Sequence, residues 1–190
     1  MDWSEHLFLK INRQIGQKEW LDKLMMFCAH NLLFILVFLA FLWATTVLAE
    51  SRVEKLNRFF KLLLTAGAFS YLFSWTWAFI FPQKRPSNKY PEIKQLLNPL
   101  SNWKTFPSDH TIAAFVVTLV VVLMGGPIWF GALLLILALL VGVGRVYVGV
   151  HYPQDILGGI IVASVFVLTS PWLLDNITQP IYSLFKQLFL

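Results

Sequence analysis

Charge is scarce in this sequence. Asp, Glu, Lys and Arg make up 13% of its 190 residues and hydrophobic residues 57%, whereas a soluble domain carries about a quarter charged. A polar shell around a globular core cannot be drawn from that inventory. Cysteine is nearly absent as well. Cys28 stands alone, which excludes an internal disulfide and, with no Cys/His cluster beside it, a thiolate metal site; it is expected in the core. Repeats and low-complexity tracts are missing. So are a short apolar region ending in a small-residue cleavage site and any lipidation motif, so no leader or lipid anchor is expected. The formal net charge is +5, but the basic residues lie between apolar runs instead of forming one face, which speaks against a nucleic-acid partner.

What is present is a set of uncharged runs: Leu32 to Ala49, Leu62 to Phe81, Ser108 to Met124, Pro127 to Gly144 and Ile156 to Leu174. None alternates as a strand would, and a helix crosses about 30 Å of hydrocarbon in roughly 20 residues. In lipid each segment must satisfy its own backbone, so helices are required. The expected fold is all-α: one membrane-embedded domain over residues 1–190, a polytopic bundle of about five transmembrane helices. Trp3, Leu7, Ile11 and Ile15 at one end, and Ile181, Leu184, Phe185 and Leu188 at the other, recur at helical spacing. They predict amphipathic N- and C-terminal helices, lying in the interface or packed on the bundle. Trp20, Trp43, Trp129 and Trp172 fall near span ends, where an aromatic belt is expected. Gly158, Gly159 and Ala163 have the spacing that lets helices approach closely.

The charged residues from Asp109 to Leu174 are Asp109, Arg145 and Asp155. Ionisable groups in such segments are costly and mark functional sites. With five spans, Arg85, the Ser108-Asp109-His110 block and the Arg145 to Asp155 block all fall on one side of the membrane. Pro107-Ser108 reads as a helix start with Ser108 as N-cap, which leaves first-turn N–H groups for an anion. Tyr152-Pro153 reads as another start, with Asp155 able to reach back toward His151. A carboxylate on one imidazole nitrogen fixes the tautomer and frees the other lone pair, as a histidine nucleophile requires. Two arginines, a serine hydroxyl and helix-end amides can surround a phosphate, and His110 can serve as general acid. The competing class is a transporter or channel, which also uses intramembrane charge. His6 and His30 lack spaced partners and are expected to be structural.

Two basic clusters compete for the cytoplasmic side: Arg52, Lys55, Arg58 and Lys61, and Lys84, Arg85, Lys89, Lys94 and Lys104. The positive-inside rule favours the first if the second has another reason to be basic. Lys89, Lys94 and Lys104 are expected in a solvated loop, the alternative being that they attract an anionic headgroup.

KRP (Lys84 to Pro86), PSDH (Pro107 to His110) and GRVYVGVHYPQD (Gly144 to Asp155) resemble the three signature blocks of the type 2 phosphatidic acid phosphatase superfamily. The resemblance runs from about Leu62 to Leu174. It implies that His151 attacks phosphorus to form a phosphohistidine, oriented by Asp155. His110 protonates the leaving group and then activates water. Arg85, Arg145 and Ser108 hold the phosphate, and Asp109 and Lys84 are further phosphate-side candidates. No metal or other cofactor is implied. Three positions depart from the pattern: Ala78 stands where a lysine is usual, Asp109 where glycine is usual and Gly144 where serine is usual. The FPSDHT form, the short chain and the absent lysine resemble the bacitracin-resistance type of undecaprenyl-diphosphate phosphatase. That resemblance implies a lipid diphosphate substrate, membrane lipids as partners and a multi-pass protein of the bacterial cytoplasmic membrane with its site on the extracytoplasmic face. The alternatives are phosphatidylglycerophosphate, phosphatidic acid or lipid A phosphate. Nothing in the sequence specifies an oligomer.

Overall fold

The computed structural model describes residues 2–48, 53–90, 92–99 and 103–189, and among these every regular element is helical. The helices are α1 (Trp3–Asn12), α2 (Glu19–His30), α3 (Leu32–Trp43), α4 (Val53–Ile80), the short α5 (Pro86–Lys89), α6 (Asp109–Leu123), α7 (Ile128–Tyr147), α8 (Pro153–Leu173) and α9 (Gln179–Phe189). Val53–Ile80, Ile128–Tyr147 and the run Pro153–Leu188 are each long and apolar enough to cross a membrane. Helices α2 and α3, bent by 48° to one another, make a fourth span if the pair counts as one. The fifth expected span, α6, is a shorter apolar helix of 15 residues, about 22 Å long at 1.5 Å per residue. The expected count of five is therefore not reached by length and apolarity alone. Arg52 and Ala49, which entered the expectations for the first loop and span, lie outside the described residues.

The shortness of α6 follows from its place. It packs against α3, α4, α7 and α8, and Ile112, Ala114, Phe115, Val116, Val117, Val120 and Val121 are all buried. A helix walled in by others has little lipid to span. The surrounding helices turn Phe34, Phe38, Leu64, Leu72, Ile136, Leu139, Ile161 and Leu168 outward, the apolar face that a bilayer would cover. Because lipid tails are as apolar as these side chains, close packing and small residues hold such a bundle together. Ala40, Ala66, Ala114, Ala138 and Ala163 are buried at its contacts.

The small residues near the start of α8 have a defined task. A Cβ on Gly158 would run into the Phe106 ring, and one on Gly159 would sit 3.0 Å from Thr111 Cβ and 3.1 Å from Ser108 O. Their absence of side chain lets α8 seat directly on the segment that begins α6. Gly144 is tighter still: a Cβ there would lie 2.8 Å from Ala29 N and 3.1 Å from Ala29 Cα. Those are backbone atoms of α2 and cannot rotate away. Glycine in place of the usual serine is thus what allows α2 to lie against α7. Gly144→Ser should lower the melting temperature of the purified protein, by a destabilisation of about 1–3 kcal/mol as for other overpacked sites.

Four expectations are refined. The N-terminal helix takes the second of its two expected places. It packs on α7 and α8 through Ser4, Phe8 and Asn12, while Trp3 and Leu7 face outward, and Ser4 Oγ accepts from Gln154 N (3.0 Å). The C-terminal helix is not separate either, because α8 runs on through a π-helical turn, Leu174–Thr178, into α9. Trp43 is buried against Phe59 and Phe130 instead of anchoring at the interface, whereas Trp20, Trp129 and Trp172 are exposed. Lys89 and Lys94 are exposed, as expected of loop charges, and each also has a partner: Lys89 pairs with Glu5, and Lys94 Nζ donates to Ile15 O (2.7 Å). Asn12 grips the Lys94 backbone from both sides (2.6 and 3.1 Å), so α1 ties down the segment between α5 and α6. Cys28 is buried, as expected.

Candidate active site

Arg85, the block at the start of α6 and the end of α7 with its following turn meet around one cavity of about 600 Å³. Arg85, Lys104, Asp109, His110, Arg145 and His151 supply its polar wall, joined by His30, Tyr71, Trp75 and Asn98. A second depression, of about 480 Å³, lies at the far end of α4 and α8 between Lys55, Arg58, Lys61 and Asp175; it contains no histidine.

Each side chain is delivered by a local feature. Arg145 stands in the last turn of α7, beside the C-terminal end of α2, where partial negative charge collects. Gly149, at φ +87°, turns the chain after α7, and a Cβ there would lie 2.7 Å from Lys94 O. His151 follows, held between this turn and the proline-started α8. Asp155 in the first turn of α8 reaches back as predicted, its Oδ2 accepting from Tyr152 N at 2.8 Å.

The histidine tautomer follows from the hydrogen bonds. Thr105 Oγ1 donates its one hydrogen to Asp155 Oδ2 (2.5 Å). Toward His151 Nδ1, 3.3 Å away, that hydroxyl can therefore only accept. Asp155 Oδ2, also 3.3 Å from Nδ1, can only accept when ionised. Two acceptors place the proton on Nδ1. On the other side of the ring Arg85 Nη1 stands 3.4 Å from Nε2, and a guanidinium has only hydrogens to offer. Nε2 is thus a lone pair facing a cation at the cavity. Burial, reinforced by Arg145, Arg85 and Lys104, pushes the His151 imidazole well below its usual value, so it is neutral at neutral pH.

The two arginines differ in how well they are satisfied. Arg85 Nη1 donates to Val150 O (2.7 Å). Arg145 is 6% exposed; its Nη1 reaches Ala29 O only at 3.4 Å, and its Nε has no partner. A buried guanidinium with five donors and one long bond is a costly arrangement unless an anion completes it.

The other candidates fall in different places. His110 lines the cavity. Ser108 is the N-cap of α6 as expected but makes no side-chain cap bond. It is fully buried, its hydroxyl accepts from Thr111 Oγ1 (3.1 Å), and its N–H donates to Asp155 O (3.1 Å). It is not part of the cavity wall. Lys84 is exposed and outside that wall. Asp109 pairs with neither Lys84 nor Arg85; it accepts from Lys104 Nζ (2.6 Å) and Ser74 Oγ (2.8 Å). Ala78 is buried on α4.

Three contributors escaped sequence reasoning, and for a fourth, Lys104, the loop reading was preferred to a role beside the headgroup. Thr105 has no spacing that marks it, since its partners lie 46 and 50 residues away. Lys104 looked like a loop charge and is buried. Ser74 is one polar residue in a long helix. His30 was read as structural, yet the bend between α2 and α3 sets it on the cavity.

The PAP2 superfamily model matches residues 55–179. YbjG of Escherichia coli strain K12, provisionally named an undecaprenyl-diphosphatase, is 30% identical over 167 residues, which cover 86% of this chain and 79% of that one. The undecaprenyl-diphosphatase BcrC of Bacillus subtilis strain 168 is 42% identical over 59 residues, covering 31% of this chain and 30% of BcrC. The crystal structure of Aquifex aeolicus LpxE superposes with a TM-score of 0.68 at 25% identity, covering 90% of this chain and 95% of that one.

Proposed function

The chain belongs to the PAP2 superfamily, and from that membership we propose that it is an integral membrane phosphatase converting undecaprenyl diphosphate to undecaprenyl phosphate through a phosphohistidine. The observation that carries the reading is the neutral His151 with its Nε2 lone pair turned toward Arg85, in a cavity that also holds the under-satisfied Arg145. The names of YbjG and BcrC support the choice of substrate.

In this reading the terminal phosphoryl group lies between Arg85 and Arg145, whose donors replace the water it leaves. Nε2 of His151 attacks phosphorus as the bond to the bridging oxygen breaks. His110, which takes up a proton once the anion is bound, gives it to that oxygen, and the lipid monophosphate departs. Water then attacks the phosphohistidine, His110 takes the water's proton, and the P–N bond breaks to release inorganic phosphate and free His151. Asp155 and Thr105 keep the Nδ1 proton in place and stabilise the positive charge that the ring acquires. The residues doing this work are all side chains of this chain, so the reaction is written without a metal. The cavity faces the extracytoplasmic side and the Lys55, Arg58 and Lys61 end the cytoplasm, consistent with the positive-inside rule.

Purified protein in detergent should release phosphate from undecaprenyl diphosphate at the same rate with and without EDTA. A panel of phosphatidylglycerophosphate, phosphatidic acid and lipid A phosphate, assayed in parallel, ranks the substrates. Higher kcat/KM on one of these would replace the isoprenoid diphosphate as substrate, and loss of all activity on chelation would overturn the metal-free scheme.

A further inference from the structure

Lys104 and Asp109 have no role in that chemistry, yet both line the same cavity. Lys104 is 2% exposed. An ammonium so placed is tolerated only where its charge and donors are met. Two of its three donors are accounted for, by Asp109 Oδ1 (2.6 Å) and Pro107 O (3.1 Å). The Trp75 ring lies 5.6 Å from Nζ, and Trp75 itself belongs to the cavity wall. One donor remains for whatever occupies the cavity. Asp109 is itself steadied, because its Oδ1 also accepts from Ser74 Oγ (2.8 Å), and Tyr71 Oη donates to its backbone carbonyl (3.2 Å).

The charge balance of the wall points the same way. Among the described residues it carries Arg85, Arg145 and Lys104 against the single carboxylate of Asp109, since Asp155 is wholly buried behind His151. A structural ion pair gains nothing from standing beside two more cations, whereas a multiply charged anion in the cavity would reverse that cost. Both faces of the pair fit one arrangement. The carboxylate draws Lys104 inward and leaves it only partly neutralised.

We propose that Lys104 is a third phosphate-binding cation of this cavity and that Asp109, held by Ser74, is a positioning residue that aims it and does not contact substrate. This rests on the reading that the cavity holds a phosphoryl group, but it concerns the anion alone and can be tested without a lipid. The probe is inorganic phosphate, with orthovanadate as a second anion, titrated calorimetrically into the detergent-purified full chain. Lys104→Gln should raise the dissociation constant about tenfold or more, in line with the loss of one hydrogen bond to a charged group. Lys104→Arg should keep binding within a few-fold of the parent, because its charge and donors persist. Asp109→Asn should tighten phosphate binding, because a facing negative charge is gone, while kcat on lipid diphosphate falls because Lys104 is no longer aimed.

Opposite signs for Lys104→Gln and Asp109→Asn are the signature of this arrangement. If both lower the melting temperature while phosphate binding weakens equally or stays unchanged, the pair merely braces the segment before α6 and the proposal is overturned. Should Lys104→Gln fail to fold, the signs for Lys104→Arg and Asp109→Asn still decide. A parent chain that binds no phosphate also overturns it. Lys104-dependent phosphate binding without any lipid hydrolysis sinks the proposed activity and leaves this inference standing. Hydrolysis with phosphate binding indifferent to Lys104 does the reverse.

Discussion

His151→Ala should reduce phosphate release from undecaprenyl diphosphate by roughly 10⁴-fold or more, the scale seen when a covalent nucleophile is removed from a catalytic unit. The expectation comes from geometry. Nε2 carries the lone pair and faces Arg85, and the Nδ1 proton is held by Thr105 and Asp155. The phosphoryl group would be trapped on His151 by rapid quenching with substrate labelled in its terminal phosphate. The adduct should survive alkali and be lost in acid, as a phosphoramidate is. His110→Ala should behave differently. A lipid monophosphate leaves without much help from an acid, so the first step would persist while water activation fails, and phosphoenzyme should accumulate. On a lipid monoester the leaving group is an alcohol, which needs the proton, so the same variant should lose more activity there. Normal turnover by His151→Ala would sink the covalent mechanism outright.

Much of this site can be read from the sequence, and the reason is local. Arg145, His151 and Asp155 are close in the chain, and the proline at the start of α8 fixes how Asp155 meets the Tyr152 amide. Span parity brings Arg85 and His110 to the same end of the bundle without any knowledge of packing. Long-range geometry is what sequence could not supply. Thr105 matters only because the segment before α6 folds back over α8, a contact permitted by Gly158 and Gly159. Lys104 reads as a surface charge because nothing in its neighbours announces burial. Helix α2 escaped detection because its outward face mixes charges such as Glu19 and Lys23, joined in an ion pair, with apolar residues, and its bend at Asn31 hides its continuity with α3. Helix α6 is short for a span, and its apolar run faces neighbouring helices more than lipid.

Asp155→Asn should separate orientation from architecture. The carboxylate has two tasks on one oxygen: Oδ2 accepts from Tyr152 N at 2.8 Å, which caps α8, and from Thr105 Oγ1 at 2.5 Å, beside the His151 Nδ1 proton. Asparagine keeps a carbonyl oxygen for the cap, so the fold should change little. What it loses is the negative charge. Oδ1 of Asp155 has no partner, so in the variant the amide group can take that position without displacing a hydrogen bond. The charge is what stabilises the imidazolium that forms as Nε2 bonds to phosphorus. Without it the ring is harder to make positive, in a pocket where Arg85, Arg145 and Lys104 already oppose positive charge. Activity should therefore fall by about 10²–10⁴-fold, the range spanned by loss of an orienting carboxylate in comparable catalytic units, with the melting temperature nearly unchanged. Asp155→Ala should cost the same activity and also stability, about 0.5–2 kcal/mol for a lost helix cap. The sign of the pH effect follows as well. Removing a carboxylate beside an imidazole lowers the proton affinity of the ring further, so any acid-side limb belonging to His151 should move to lower pH in Asp155→Asn. A limb that moves upward, or activity that survives within tenfold of the parent, would mean that Asp155 caps α8 and does no more.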